Sequence, residues 1–188
     1  ARADGAAKGN TTFELDWLRV VGVPIPERLA KPPVWTFPAA LAEFTAASSL
    51  GALPSQTGLA LEAETADAWL DGQFTSFVAD DGFWAVVRMA TAVDSQASLC
   101  WISAQTNSRA EVSFDVVPDG RMRTYNVDLS GQSTWRDEIY FVGFRPPVGK
   151  GKTTLAEIAI TDEPGGPALP VIRYAGLEDA INRVGRPA

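Results

Sequence analysis

The chain has 188 residues, with Lys+Arg 16 against Asp+Glu 23, a formal net charge of -7 and no histidine. No Ser-His-Asp triad, Cys-His dyad or histidine metal site can be built from it, and a single thiol, Cys100, leaves no internal disulfide and no cysteine cluster for zinc. The hydrophobic share of 46% is that of a globular protein, the pI near 4.6 speaks against nucleic acid and anionic membranes as partners, and no apolar run has the length of a membrane span.

Residues 1–12 are small and polar and read as a loop without the pattern of a signal peptide. Phe13 to Val21 has partly alternating, β-forming character. Prolines 24, 26, 32, 33 and 38 then break any helix or central strand, so residues 22–40 are expected to be an extended connector, with Trp35 pinning it to the domain. Leu41 to Ala47 is expected to make a helical turn or two.

From Leu50 onward the pattern is that of short strands. The runs 59–63, 74–78, 83–92, 97–104, 110–117, 122–129, 139–145 and 153–160 recur at close to the spacing of a β-sandwich, with no long amphipathic helix between them. Leu99 shares a face with Trp101; Val112, Phe114 and Val116 share another, and Tyr125, Val127 and Leu129 a third. Pro118-Asp119-Gly120 is expected to close a tight hairpin, glycine supplying the positive φ, and Asp80-Asp81-Gly82 a second one. The fold class read from this pattern is all-β: a two-sheet antiparallel β-sandwich over 49–162. Residues 1–48 would hold the last strand of a preceding module plus the proline-rich connector, and 163–188 a second linker and the start of a following element. Gly9-Asn10-Thr11-Thr12-Phe13 echoes Gly151-Lys152-Thr153-Thr154-Leu155, as tandem modules would.

The run from Ala110 to Ile160 resembles the closing half of a jelly-roll sandwich and is similar to the carbohydrate-binding-module-like, galactose-binding-like accessory domains of secreted bacterial glycoside hydrolases. The matching pieces are Pro118-Asp119-Gly120, Thr124 to Leu129, Trp135-Arg136, Phe144-Arg145-Pro146 and the strand Leu155 to Ile160. Arg136-Asp137-Glu138 departs from the small residue that such domains carry after the Trp-Arg pair. The resemblance implies a non-catalytic polysaccharide-binding module, secreted or held at a bacterial cell surface, whose partners are polysaccharide or neighbouring domains of the same protein.

Sugar recognition needs flat apolar faces beside amides, carboxylates or guanidinium groups. The candidates are Trp69 and Trp135 in polar, loop-like settings, Trp84 with Arg88 four residues on and on the same strand face, Arg145 at a strand end, and Asn107 with Gln105 in a loop. Each has a structural alternative: core packing for the tryptophans, plain solvation for the polar residues. Tyr125 is expected to be buried with its hydroxyl bonded, and Cys100 to be a buried small hydrophobe. No cofactor is implied, although similar sandwiches hold a structural calcium between first and last strands, a role for which Glu62 or Glu64 with Glu157 are candidates. A spacer that binds nothing is the competing function. A carboxylate-only enzyme is a third, disfavoured because Asp80-Asp81 and Asp137-Glu138 are adjacent pairs whose members point to opposite faces on a strand.

Overall fold

A computed structural model describes residues 26–106 and 108–166. Its strands are β1 (Val34–Thr36), β2 (Phe44–Ala46), β3 (Leu50–Ser55), β4 (Gly58–Ala63), β5 (Leu70–Gly72), β6 (Phe77–Val78), β7 (Trp84–Thr91), β8 (Ala97–Ser103), β9 (Ala110–Phe114), β10 (Arg123–Asp128), β11 (Glu138–Arg145) and β12 (Thr153–Thr161). They form two antiparallel six-stranded sheets. Sheet I runs β10-β7-β12-β4-β3 with β1 also on β12, and sheet II runs β2-β5-β11-β8-β9 with β6 also on β11.

Alternation decides which residues lie between the sheets. Leu99 and Trp101 from β8, Val142 and Phe144 from β11, Val87 and Met89 from β7, and Leu155 and Ile158 from β12 fill one continuous core. Bulges in β12 between Leu155 and Glu157, and in β11 between Ile139 and Phe141, shift the register of each strand once.

Over its described residues, 26–40, the proline-rich stretch is part of the sandwich and not a connector. Val34, Trp35, Thr36 and Phe37 alternate exposed and buried, and β1 pairs Trp35 with Ile158 of the last strand. Trp35 and Phe37 pack their rings on Phe44 at 5.5 and 5.2 Å. Pro33 and Pro38 stand just outside this three-residue strand, where no ladder N–H is demanded of them. Leu41 to Ala47 divides into a 3-10 turn, Ala39–Glu43, and the strand β2. The sandwich therefore draws on residues ahead of 49. The expected strand Phe13 to Val21, the Gly9 to Phe13 half of the terminal echo and residues 167–188 of the expected second linker and following element lie outside the described residues.

Neither expected hairpin joins paired strands. β9 pairs with β8 in sheet II, whereas β10 pairs with β7 in sheet I, so Pro118-Asp119-Gly120 carries the chain across the end of the sandwich. The apolar faces of the two runs meet across the core, with Phe114 and Tyr125 rings 5.8 Å apart, instead of lying side by side. Gly120 does have φ 70, and its N–H bonds the Thr91 carbonyl at 2.8 Å. Asp80-Asp81-Gly82 likewise crosses from β6 in sheet II to β7 in sheet I. Tyr125 is half-buried and its hydroxyl accepts the Val117 N–H at 3.2 Å.

Candidate functional site

On the outer side of sheet II, Thr45, Asp71, Gly143, Cys100 and Glu111 form one cross-strand row through β2, β5, β11, β8 and β9. Arg145 and Ser98 pair in the next row on the same side. Trp69, one residue ahead of β5, lies half-buried at this end of the face, and two guanidinium groups stand over its ring. The Arg145 Cζ is 4.8 Å and the Arg109 Cζ 5.0 Å from the ring centroid, and Arg109 also stands 5.2 Å from the centre of Phe141.

Each guanidinium has its own carboxylate. Arg109 donates from Nη2 to Asp71 at 3.1 Å. Arg145 donates to the Ala66 carbonyl at 3.1 Å, to Ser98 Oγ at 2.9 Å and to Glu111. Gly143 forms the floor. A Cβ there would lie 2.8 Å from Cys100 Sγ, 3.1 Å from Asp71 Oδ1 and 3.2 Å from the Phe141 ring, so only glycine lets these three groups close over it. Cys100 lies fully buried under this cover, as the sequence led one to expect, but points away from the core formed by Leu99 and Trp101. Burial pushes its thiol up to about 12, against a smaller opposing pull from Arg109.

The sequence candidates do not converge on one place. Trp69 and Arg145 meet on the outer face of sheet II. Trp84 and Arg88 lie on β7, on the outer face of sheet I, separated from Trp69 by the thickness of the sandwich. Trp135 is not a surface platform: it is 5% exposed, its indole N–H donates to the Gly82 carbonyl at 2.9 Å, and its ring meets Trp101 edge-on at 5.4 Å. The polar residues beside it in sequence face outward while the ring closes the end of the core. Asn107 lies outside the described residues, and Gln105 donates to Asp137.

The carboxylates weighed for calcium are not brought together. Glu62 lies level with Lys152, to which it is paired at 3.3 Å, whereas Glu157 lies five residues further along β12, opposite Arg88. At about 3.3 Å per residue the separation is roughly 16 Å, too far for one ion to span. Among the described residues no cluster of three carboxylate or thiol groups is placed to hold a metal. Glu64 lines a shallow groove with Glu62, Lys150 and Lys152.

Arg109, Asp71, Glu111 and Ser98 were not among the residues singled out from sequence. One signal was available: Glu111 and Ser113 alternate with the apolar Ala110, Val112 and Phe114, which marks an outward polar row. Nothing local says that this row faces Trp69.

The architecture is that of a two-sheet antiparallel β-sandwich, and solved structures similar to it include carbohydrate-binding modules. One is a family 6 module (10% identity, 75% of this chain and 100% of that one, TM-score 0.45). Another is the module of Cellvibrio mixtus lichenase 5A solved with cellotriose (14% identity, 71% and 98%, TM-score 0.42). A third is the C-terminal family 6 module of a marine laminarinase from Zobellia galactanivorans (16% identity, 61% and 90%, TM-score 0.42). No family model and no curated protein matches the chain.

Proposed function

We propose that this sandwich is a non-catalytic carbohydrate-binding module whose ligand lies on the outer face of sheet II. The observation that carries the reading is the assembly on one face of Trp69, Arg109, Arg145, Asp71, Glu111 and Ser98, drawn from four strands and their flanks. It offers donors and acceptors for sugar hydroxyls beside apolar ring surface, on strands that move little. Asp71 and Glu111 stand three inter-strand steps apart, about 14 Å between backbones, and each is held by an arginine, which suits binding better than paired acid and base work. Such shallow faces bind weakly and gain through repetition, which fits an accessory module of an exported carbohydrate-active protein.

Native affinity electrophoresis through laminarin, xylan, hydroxyethyl cellulose and polygalacturonate tests the reading. The wild type and Trp84→Ala should be retarded in at least one gel, and Trp69→Ala combined with Arg145→Ala should run free. Retention lost in Trp84→Ala and kept in the double variant would move the site to sheet I. Free migration of the wild type in every gel leaves the spacer reading. One observation favours a packing role: the chain leaving β12 is held on sheet I, where Asn126 bonds both the N–H and the carbonyl of Gly165, at 2.8 and 3.1 Å.

A further inference from the structure

We infer that Arg109, and not the face of Trp69, is the group that touches sugar on sheet II, with Trp69, Phe141 and Asp71 acting as positioning residues for its guanidinium. The inference rests on the carbohydrate-binding reading above. A pyranose that stacks on tryptophan needs a free ring face, but both Arg109 and Arg145 already stand within 5.0 Å of the Trp69 centroid.

The two arginines differ in what they have left to offer. Arg145 spends its Nη groups on Ala66, Ser98 and Glu111, and its side chain is 21% exposed. Among the described residues Arg109 donates only to Asp71, and its side chain is 35% exposed. A guanidinium has five N–H donors in a rigid plane, so most of those on Arg109 remain for a ligand. Trp69 at 5.0 Å and Phe141 at 5.2 Å hold that plane, and Asp71 holds one end of it. The fork is thus oriented before the sugar arrives, which lowers the ordering cost of binding.

Charge selects the ligand class. Arg109 is matched by Asp71 and Arg145 by Glu111, on a chain of net charge -7, so the face has no surplus of positive charge to draw an anionic polymer. The partner that fits is a neutral polysaccharide presenting adjacent hydroxyl oxygens.

Isothermal titration with the polysaccharide that retards the wild type, on Arg109→Ala, Arg109→Lys and Trp69→Phe, decides the matter, each variant being checked by thermal melting. Arg109→Ala should weaken binding roughly tenfold or more, as loss of charge-assisted hydrogen bonds does. Arg109→Lys, which keeps the charge and the fold but not the planar fork, should weaken it several-fold. Trp69→Phe should stay within about threefold, because a phenyl ring still supports the guanidinium. If Trp69→Phe loses binding while Arg109→Ala, its ring uncovered, binds as well or better, stacking is the mode and the inference falls, with carbohydrate binding intact. Retardation by polygalacturonate alone would overturn the neutral-ligand assignment. A wild type that no polysaccharide retards removes the underlying reading instead.

Discussion

Replacing Trp135 separates a core residue from a ligand platform. Its side chain is 5% exposed, packed on Trp101 at 5.4 Å and on Phe77 at 6.0 Å, with the indole N–H on the Gly82 carbonyl at 2.9 Å. A buried tryptophan hides on the order of 200 Å². At about 25 cal/mol per Å² this gives roughly 5 kcal/mol of apolar transfer, an upper bound because the unfolded chain already hides part of that surface. Measured Trp→Ala changes in cores fall at about 3–5 kcal/mol, so Trp135→Ala should cost about 4 kcal/mol, a large part of the stability of a domain this size. Trp135→Phe keeps an aromatic ring but leaves the buried Gly82 carbonyl without its donor, for about 2 kcal/mol. Urea unfolding followed by tryptophan fluorescence gives both values, provided the slope with denaturant is unchanged. A Trp135→Ala unfolding free energy within about 1 kcal/mol of wild type, with sugar binding lost, would show that the ring is a platform and that the core has been misassigned.

Two further outcomes follow from titrating groups. The side-chain hydrogen bond from Arg123, then the Arg121 N–H, holds the Asp119 carboxyl down to about 2, below its ordinary 3.8. A depressed folded value stabilises the fold above the unfolded value and loses that contribution as pH falls from about 4 toward 2. Asp119→Asn should therefore lower the urea midpoint at pH 6, and the gap from wild type should narrow steadily as pH falls from about 4 to 2; a gap independent of pH would refute the assignment. Cys100, buried and raised to about 12, should not react with a disulfide reagent at pH 8 in the folded protein, and should titrate as one thiol once guanidinium unfolds it. Reaction at the rate of a free thiol without denaturant would mean that the Asp71–Arg109 cover over sheet II opens readily.

Much of the sandwich was legible because period-two alternation is a local property. The runs that became β7, β8, β11 and β12 could be read with their inward faces, Leu99 and Trp101 among them, since each strand announces its own buried side. Pairing is not local. Pro118-Asp119-Gly120 has hairpin chemistry whether the next run lies beside the previous one or across the core from it, and only the meeting of Phe114 with Tyr125 decides. β1 was hidden for the opposite reason: its prolines outweighed a four-residue alternation, although they flank the strand and do not interrupt its ladder. The site suffered most. Trp69, Arg109 and Arg145 lie 40 and 36 residues apart along the chain, and their meeting depends on β5, β11, β8 and β9 being neighbours in that order.

That order also bears on whether binding and packing are rival roles. The chain leaving β12 turns back over sheet I, where Asn126 clasps Gly165 through both backbone groups. A Cβ at Gly165 would come 2.7 Å from Val86 Cγ1, so the chain lies flush on β7, and Val86, though it points outward, is 5% exposed. The Trp69–Arg109 assembly occupies the other sheet, across a core of two layers. A contact made from the sheet I side leaves the sheet II face open. The features that favour a spacer and those that favour sugar binding therefore draw on different surfaces, and one module can serve both roles without either displacing the other.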